Sequence, residues 1–136
     1  MRTWVYSPHT GGKSIPPAVK ARTERRILDY AAKHHPGKFT KVDVRFRGAL
    51  CYIDVYTDPG VPSRSALSPG ETRAQWIERL RSTPTHLCRI RYFGNEDRWT
   101  FAFYTYSYEK YEPSFFITGE DQGTPEEAFE TSAQFY

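Results

Sequence analysis

Only two cysteines, Cys51 and Cys88, stand among the 136 residues. That is too few for a secreted disulfide scaffold, so any core must hold by burial alone. No apolar run approaches the roughly 18 residues a membrane-spanning helix needs. The opening Met1-Arg2-Thr3-Trp4-Val5-Tyr6 is short and turns polar at once, which does not fit a secretory signal. Together these absences lead to the expectation of a cytoplasmic protein without a membrane segment. Acidic residues are scarce at one end and basic residues at the other. Residues 1–47 hold eleven lysines and arginines against Glu24, Asp29 and Asp43, whereas residues 107–136 hold Lys110 alone against seven acids. Such a chain either neutralises itself internally or presents a basic face to an anionic partner.

Aromatic residues, by contrast, are plentiful at 16%, and ten of them are tyrosines. A disordered chain lacks such residues, and a chain of this length is large enough to bury a core without staples. Residues 1–136 therefore read as a single domain, with a Pro/Gly/Ser-rich loop at about 58–69.

Arg2–Tyr6 reads as a short strand. Helical periodicity then runs from about Pro16 to His35. Val19, Thr23, Ile27, Tyr30, Ala31 and His34 share one arc, and Arg22, Arg25, Arg26, Asp29 and Lys33 the opposite one. Ser14 stands where a cap would, and Pro36-Gly37 ends the run. Phe39–Phe46 alternates as a strand. Leu50–Thr57 returns with Cys51, Ile53 and Val55 on one side and Tyr52, Asp54 and Tyr56 on the other. Ser68-Pro69-Gly70-Glu71 has capping-box spacing and predicts a helix to about Arg81. From Leu87 to Ile117 apolar and polar residues alternate, broken at Gly94-Asn95-Glu96-Asp97, as in a hairpin running on into a third strand. Thr124-Pro125-Glu126-Glu127 is a second capping box, opening a last helix with Ala128, Phe129, Ser132 and Phe135 inward.

Strands joined by short turns must be antiparallel, which makes the class α+β. The expected architecture is a single antiparallel sheet of five to six strands. A long N-terminal helix packs across it in a cystatin-like or similar roll, with two shorter helices beside it.

Trp4-Val5-Tyr6-Ser7-Pro8 and Gly123-Thr124-Pro125-Glu126-Glu127-Ala128-Phe129-Glu130-Thr131-Ser132-Ala133 together resemble a loose group of short uncharacterised bacterial proteins. Tyr92-Phe93-Gly94-Asn95 and the segment around Tyr111-Glu112-Pro113 fit the same likeness. The shared motifs are caps and strand edges. The group has no assigned activity, so the resemblance implies a compact bacterial domain and transfers no catalytic residue.

No reaction is spelled out by the remaining motifs. Gly11-Gly12-Lys13-Ser14 lacks the first glycine of a phosphate-binding loop, since Ser7 stands there, and two prolines remove N–H groups that would face phosphate. His86 and Cys88, two apart on one strand, are expected to share a face that Cys51 approaches, but a structural zinc site wants four ligands. The same cysteines lack the adjacent base and orienting group of a nucleophilic site. Asp54 and Glu112 form a hydrolytic carboxylate pair only if strand order brings them together. No cofactor or metal is implied, and the chain leans away from an enzyme.

What remains is the sheet face opposite the core, which is expected to collect Arg45, Arg47, Tyr52, Tyr56, Arg89, Arg91, Arg98, Tyr104 and Tyr106. Tyrosines between arginines stack unpaired bases while guanidinium groups hold phosphates. The same residues also serve cross-strand pairing on a solvated sheet. The expected function is single-stranded nucleic-acid binding, RNA before DNA, carried by Arg45, Arg47, Tyr52, Arg89, Arg91, Tyr104 and Tyr106. Arg22, Arg25 and Arg26 are expected to extend the basic surface. The alternative is a non-catalytic protein-interaction module, including a homodimer through a sheet edge.

Overall fold

The periodic segment after the double proline folds as α1, Pro17–His34. Val19, Thr23, Ile27 and Ala31 are its buried stripe, spaced at four residues so that one side of the cylinder enters the core. The structure, a computed structural model, describes residues 11–136. The expected strand at Arg2–Tyr6 lies outside them. Ser14 does not cap α1: the N-cap position is Pro16, with no side-chain hydrogen bond. The prolines themselves begin the helix, because their fixed φ suits the first turn and their missing N–H would be unpaired there anyway.

Five strands follow in a continuous antiparallel meander of order β1-β2-β3-β4-β5. They are β1 Lys41–Arg47, β2 Leu50–Tyr56, β3 Thr85–Tyr92, β4 Trp99–Thr105 and β5 Lys110–Ser114. The chain is thus an α+β protein with one antiparallel sheet, an N-terminal helix and two further helices. Among the described residues no helix is long and apolar enough to cross a membrane.

Alternation decides which side chains go in. Cys51, Ile53 and Val55 of β2, Cys88 and Ile90 of β3, and Trp99 and Phe101 of β4 are all buried on one face. Two helices share that face. α1 packs on β1 and on α3 (Pro125–Ala133), while α3 packs on β3 and β4. Phe129, fully buried, joins them, with Tyr30, His35 and Phe39 ringed around it at centroid distances of 6.1, 5.7 and 5.9 Å. Phe135 does not follow Ala128, Phe129 and Ser132 inward. α3 has ended by then, and the ring is 67% exposed, with one face leaning on Phe103.

The second helix starts later than the Ser68 spacing predicts. Ser68-Pro69-Gly70-Glu71 closes as a β-turn, with Glu71 N–H donating to the Ser68 carbonyl and Gly70 at φ 78°. That left-handed value is the one a type II turn demands at its third residue, and it cannot continue into a helix. The next candidate box, Thr72 with Gln75, is the one used, and α2 spans Arg73–Arg81. Thr72→Ala is therefore expected to lower stability by about 1 kcal/mol. Ser68→Ala should fall within about 0.5 kcal/mol of the parent. Urea unfolding of the two variants side by side checks this, and equal losses would contradict the assignment.

The charge polarity of the chain is largely resolved within the fold. Arg26 makes a two-pronged ion pair with Glu126 of α3 at 2.8 and 2.7 Å, and a second with Asp97 at 2.9 Å. Arg22 clasps Glu96 through two bonds of 2.9 Å. Glu130 accepts from Tyr30 at 2.7 Å and pairs with His35 at 2.9 Å, and these bonds hold its pKa below the usual carboxylate range. The Tyr30 hydroxyl is pushed up to about 12 by burial and by its bond to Glu130.

Candidate functional site on the open sheet face

With α1 and α3 on the inner face, the outward side chains of the sheet form three rows across the strands. One runs Arg47, Leu50, Arg91, Thr100, and the next runs Arg45, Tyr52, Arg89, Ala102, Pro113. The third holds Asp43, Asp54 and His86, with Tyr104 and Tyr111 paired beside them. Arg91, Thr100 and Ala102 are buried despite facing outward. Arg91 Nη1 donates to the Gly11 carbonyl at 2.9 Å, and burial lowers its pKa. The accessible part of the face is therefore the part built on the second and third rows.

There the predicted tyrosine–arginine interleaving is present in space. The Arg45 guanidinium sits 5.0 Å from the Tyr52 ring centroid, and that of Arg89 5.1 Å from Tyr111. Tyr52 and Tyr104 both meet Tyr111 edge-on, at 5.5 and 4.9 Å, and Tyr104 meets Tyr106 at 4.7 Å. These contacts make one continuous aromatic strip with guanidinium groups laid along it. Arg47 is exposed at the rim, where with Arg45, Phe46 and Tyr52 it bounds an open depression of about 580 Å³. Lys41 lies over Tyr56 at the end of the same face, 5.4 Å from its ring. Arg98 turns away to Gln122.

Arg22, Arg25 and Arg26 do not join this face. They stand on α1, on the helical side of the sheet, where Arg22 and Arg26 are committed to Glu96, Asp97 and Glu126. Arg22 and Arg26 of the basic arc are neutralised by acids that sequence places about 70 to 100 residues away.

Asp54 and His86 lie at the centre of the strip, and sequence reasoning assigned them no role together. Asp54 keeps only 4% of its side-chain surface exposed, yet it points outward from β2. Its Oδ2 accepts from Arg45 Nη2 at 2.9 Å and its Oδ1 from His86 Nδ1 at 2.9 Å. Burial alone disfavours the Arg45 charge, but the charge of Asp54 and its hydrogen bond overcome this and raise the Arg45 pKa. The His86 ring lies 4.7 Å from Tyr104 and stacks on Tyr106 at 6.2 Å, while its backbone N–H donates to the Tyr106 hydroxyl at 2.7 Å. Burial, and then the charge of Asp54, raise the Tyr111 pKa.

His86 reaches this face because β3 carries a bulge, and here the expectation that His86 and Cys88 share a face is overturned. Ile53 pairs with Cys88, but its neighbour Asp54 pairs with His86, so Leu87 is an extra residue with no partner on β2. Cys88 stays in the core and His86 turns out. The extra side chain is not lost to solvent, since Leu87 is 1% exposed.

The same register disposes of the other candidate chemistry. Cys51 and Cys88 are fully buried, and burial pushes the Cys88 thiol up to about 12 and raises Cys51 well above its ordinary value, the reverse of what a nucleophile needs. Asp54 and Glu112 do not meet. They stand on strands separated by two others, and Glu112 pairs with Phe103 on the inner side. Among the described residues no three His, Cys, Asp or Glu side chains converge as metal ligands. No protein-family model, curated protein or solved structure matches the chain.

Proposed function

We propose that the protein binds single-stranded RNA on the open face of its sheet. The observation that carries this reading is the strip in which Arg45 and Arg89 lie over Tyr52 and Tyr111, with Tyr104 and Tyr106 continuing it. Guanidinium groups fixed beside rings give phosphates and bases neighbouring partners on one surface. Arg47 at the exposed rim extends the run of positive charge along the path of a backbone. A protein partner is the second reading, favoured by exposed Phe115 and Ile117 beyond the β5 edge.

Fluorescence anisotropy with a labelled single-stranded RNA over a salt series decides between them. Micromolar binding that weakens steeply with salt is expected for the parent protein, and the charge-matched Tyr104→Ser/Tyr106→Ser variant should lose about tenfold or more, since stacking contributes roughly 1–3 kcal/mol per base. No binding at low salt, or binding indifferent to the tyrosines, sinks the RNA reading. Concentration-dependent self-association that ignores salt would favour the protein partner instead.

A further inference from the structure

We propose, on the premise that this face binds single-stranded RNA, that His86 and Asp54 make it a ribonuclease, cleaving the bound strand by attack of a ribose 2′-hydroxyl on the adjacent phosphodiester. The pair has the form of an oriented base. An ionised carboxylate only accepts hydrogen bonds, so His86 Nδ1 carries the proton in its 2.9 Å bond to Asp54 Oδ1. That tautomer leaves the lone pair on Nε2, which has no protein partner among the described residues and belongs to a side chain 32% exposed. Asp54, almost wholly buried, fixes the ring and stabilises the imidazolium that forms when Nε2 accepts a proton. Arg45 holds the other carboxylate oxygen and stays beside the reacting centre as a cation.

Asp54 is a buried carboxylate that faces outward from an open sheet, with one oxygen given to a histidine and the other to an arginine. As chemistry the arrangement is complete. His86 Nε2 takes the proton of the 2′-hydroxyl, the 2′-oxygen bonds to phosphorus, and the bond from phosphorus to the 5′-oxygen breaks. The leaving 5′-oxygen takes a proton from a water molecule, which recovers one from the imidazolium, so no proton is gained or lost. The products are a 2′,3′-cyclic phosphate and a free 5′-hydroxyl. Cationic Arg45 and Arg89 are placed to balance the charge that develops on the phosphate oxygens. RNA is selected over DNA because only RNA carries the nucleophile.

The test incubates the full chain with a labelled 12-nucleotide RNA, a DNA of the same sequence and an RNA fully methylated at the 2′-oxygens, and follows binding and cleavage in the same samples. Expected are binding of all three strands, cleavage of the unmodified RNA alone, and 2′,3′-cyclic phosphate ends. His86→Asn should keep its circular-dichroism spectrum while losing about 100-fold or more in the cleavage rate of RNA at saturating protein, the range that one general base supplies. RNA bound but left intact overturns the ribonuclease and leaves the binding reading standing. Cleavage that persists in His86→Asn, or that acts on the methylated strand, overturns it too. Absence of both binding and cleavage removes the premise with the inference.

Discussion

Replacing Phe129 by alanine is expected to lower the unfolding free energy by about 3–5 kcal/mol, enough to bring a typical domain of this size close to unfolding. The ring is completely buried and sits where α3 meets α1 and the start of the sheet, touching Tyr30, His35 and Phe39 at once. Its removal leaves a void walled by Tyr30 of α1 and by His35 and Phe39 from the segment just after that helix, and Tyr30 and His35 cannot close on it without disturbing their contacts to Glu130. Collapse cannot relieve such a cavity cheaply, so the cost belongs at the upper end of the range. In urea the midpoint should fall by about 2 M with the slope unchanged. Phe115, 64% exposed, is the control of equal size, and its alanine variant should stay within about 0.5 kcal/mol of the parent. Equal losses at the two positions would mean that α3 is not the clasp of the fold.

Phe129 was legible in the sequence as an inward residue because everything that places it is local. Thr124 and Glu127 close a capping box within four residues, and the helix they start carries Ala128, Phe129 and Ser132 inward by its own period. The strands were legible for the same reason, since alternation in Leu50–Tyr56 or Trp99–Thr105 is a property of each segment alone. At the start of α2 the local signals failed because two of them competed. Ser68 with Glu71 and Thr72 with Gln75 have the same capping spacing, and the deciding fact is that Pro69-Gly70 suits a type II turn better than a first helical turn.

The site was half legible, and the division follows the same physical line. Arg45, Tyr52, Arg89 and Tyr104 fall on one face by alternation. Tyr111 joins them only through the pairing of β4 with β5, and His86 only through the bulge at Leu87. A bulge records how two strands fit, and no periodicity within Thr85–Tyr92 announces it. A strict count of two from Cys88 sends His86 to the core, yet the fold gains twice from breaking that count: Leu87 is buried and His86 meets Asp54. The apparent basic face of α1 failed in the opposite sense. Its arginines were correctly read as outward, but their acidic partners come from the β3–β4 turn and from α3, where no helical wheel can see them.

The placement of the α1 arginines and the sheet arginines on opposite sides of the fold gives the second large effect. Arg47→Gln/Arg89→Gln is expected to weaken single-stranded RNA binding about tenfold or more at low salt, and to reduce the slope of log affinity against log salt by about 1.4, near 0.7 for each single-strand phosphate that the variant leaves without its arginine. Arg22→Gln/Arg25→Gln removes the same formal charge from the same small protein. Arg22 already spends its charge on Glu96, and α1 lies across the sheet from the proposed path, so that variant should keep the parent slope. Its affinity should shift by no more than about threefold, since charges beyond a Debye length of about 10 Å are largely screened. Anisotropy titrations at four salt concentrations separate the cases. Two unequal slopes place the phosphates on the sheet face. Two equal reductions would mean that RNA feels only a protein of net charge +3, and the ordered strip of tyrosines and arginines would then have to be explained by cross-strand packing alone.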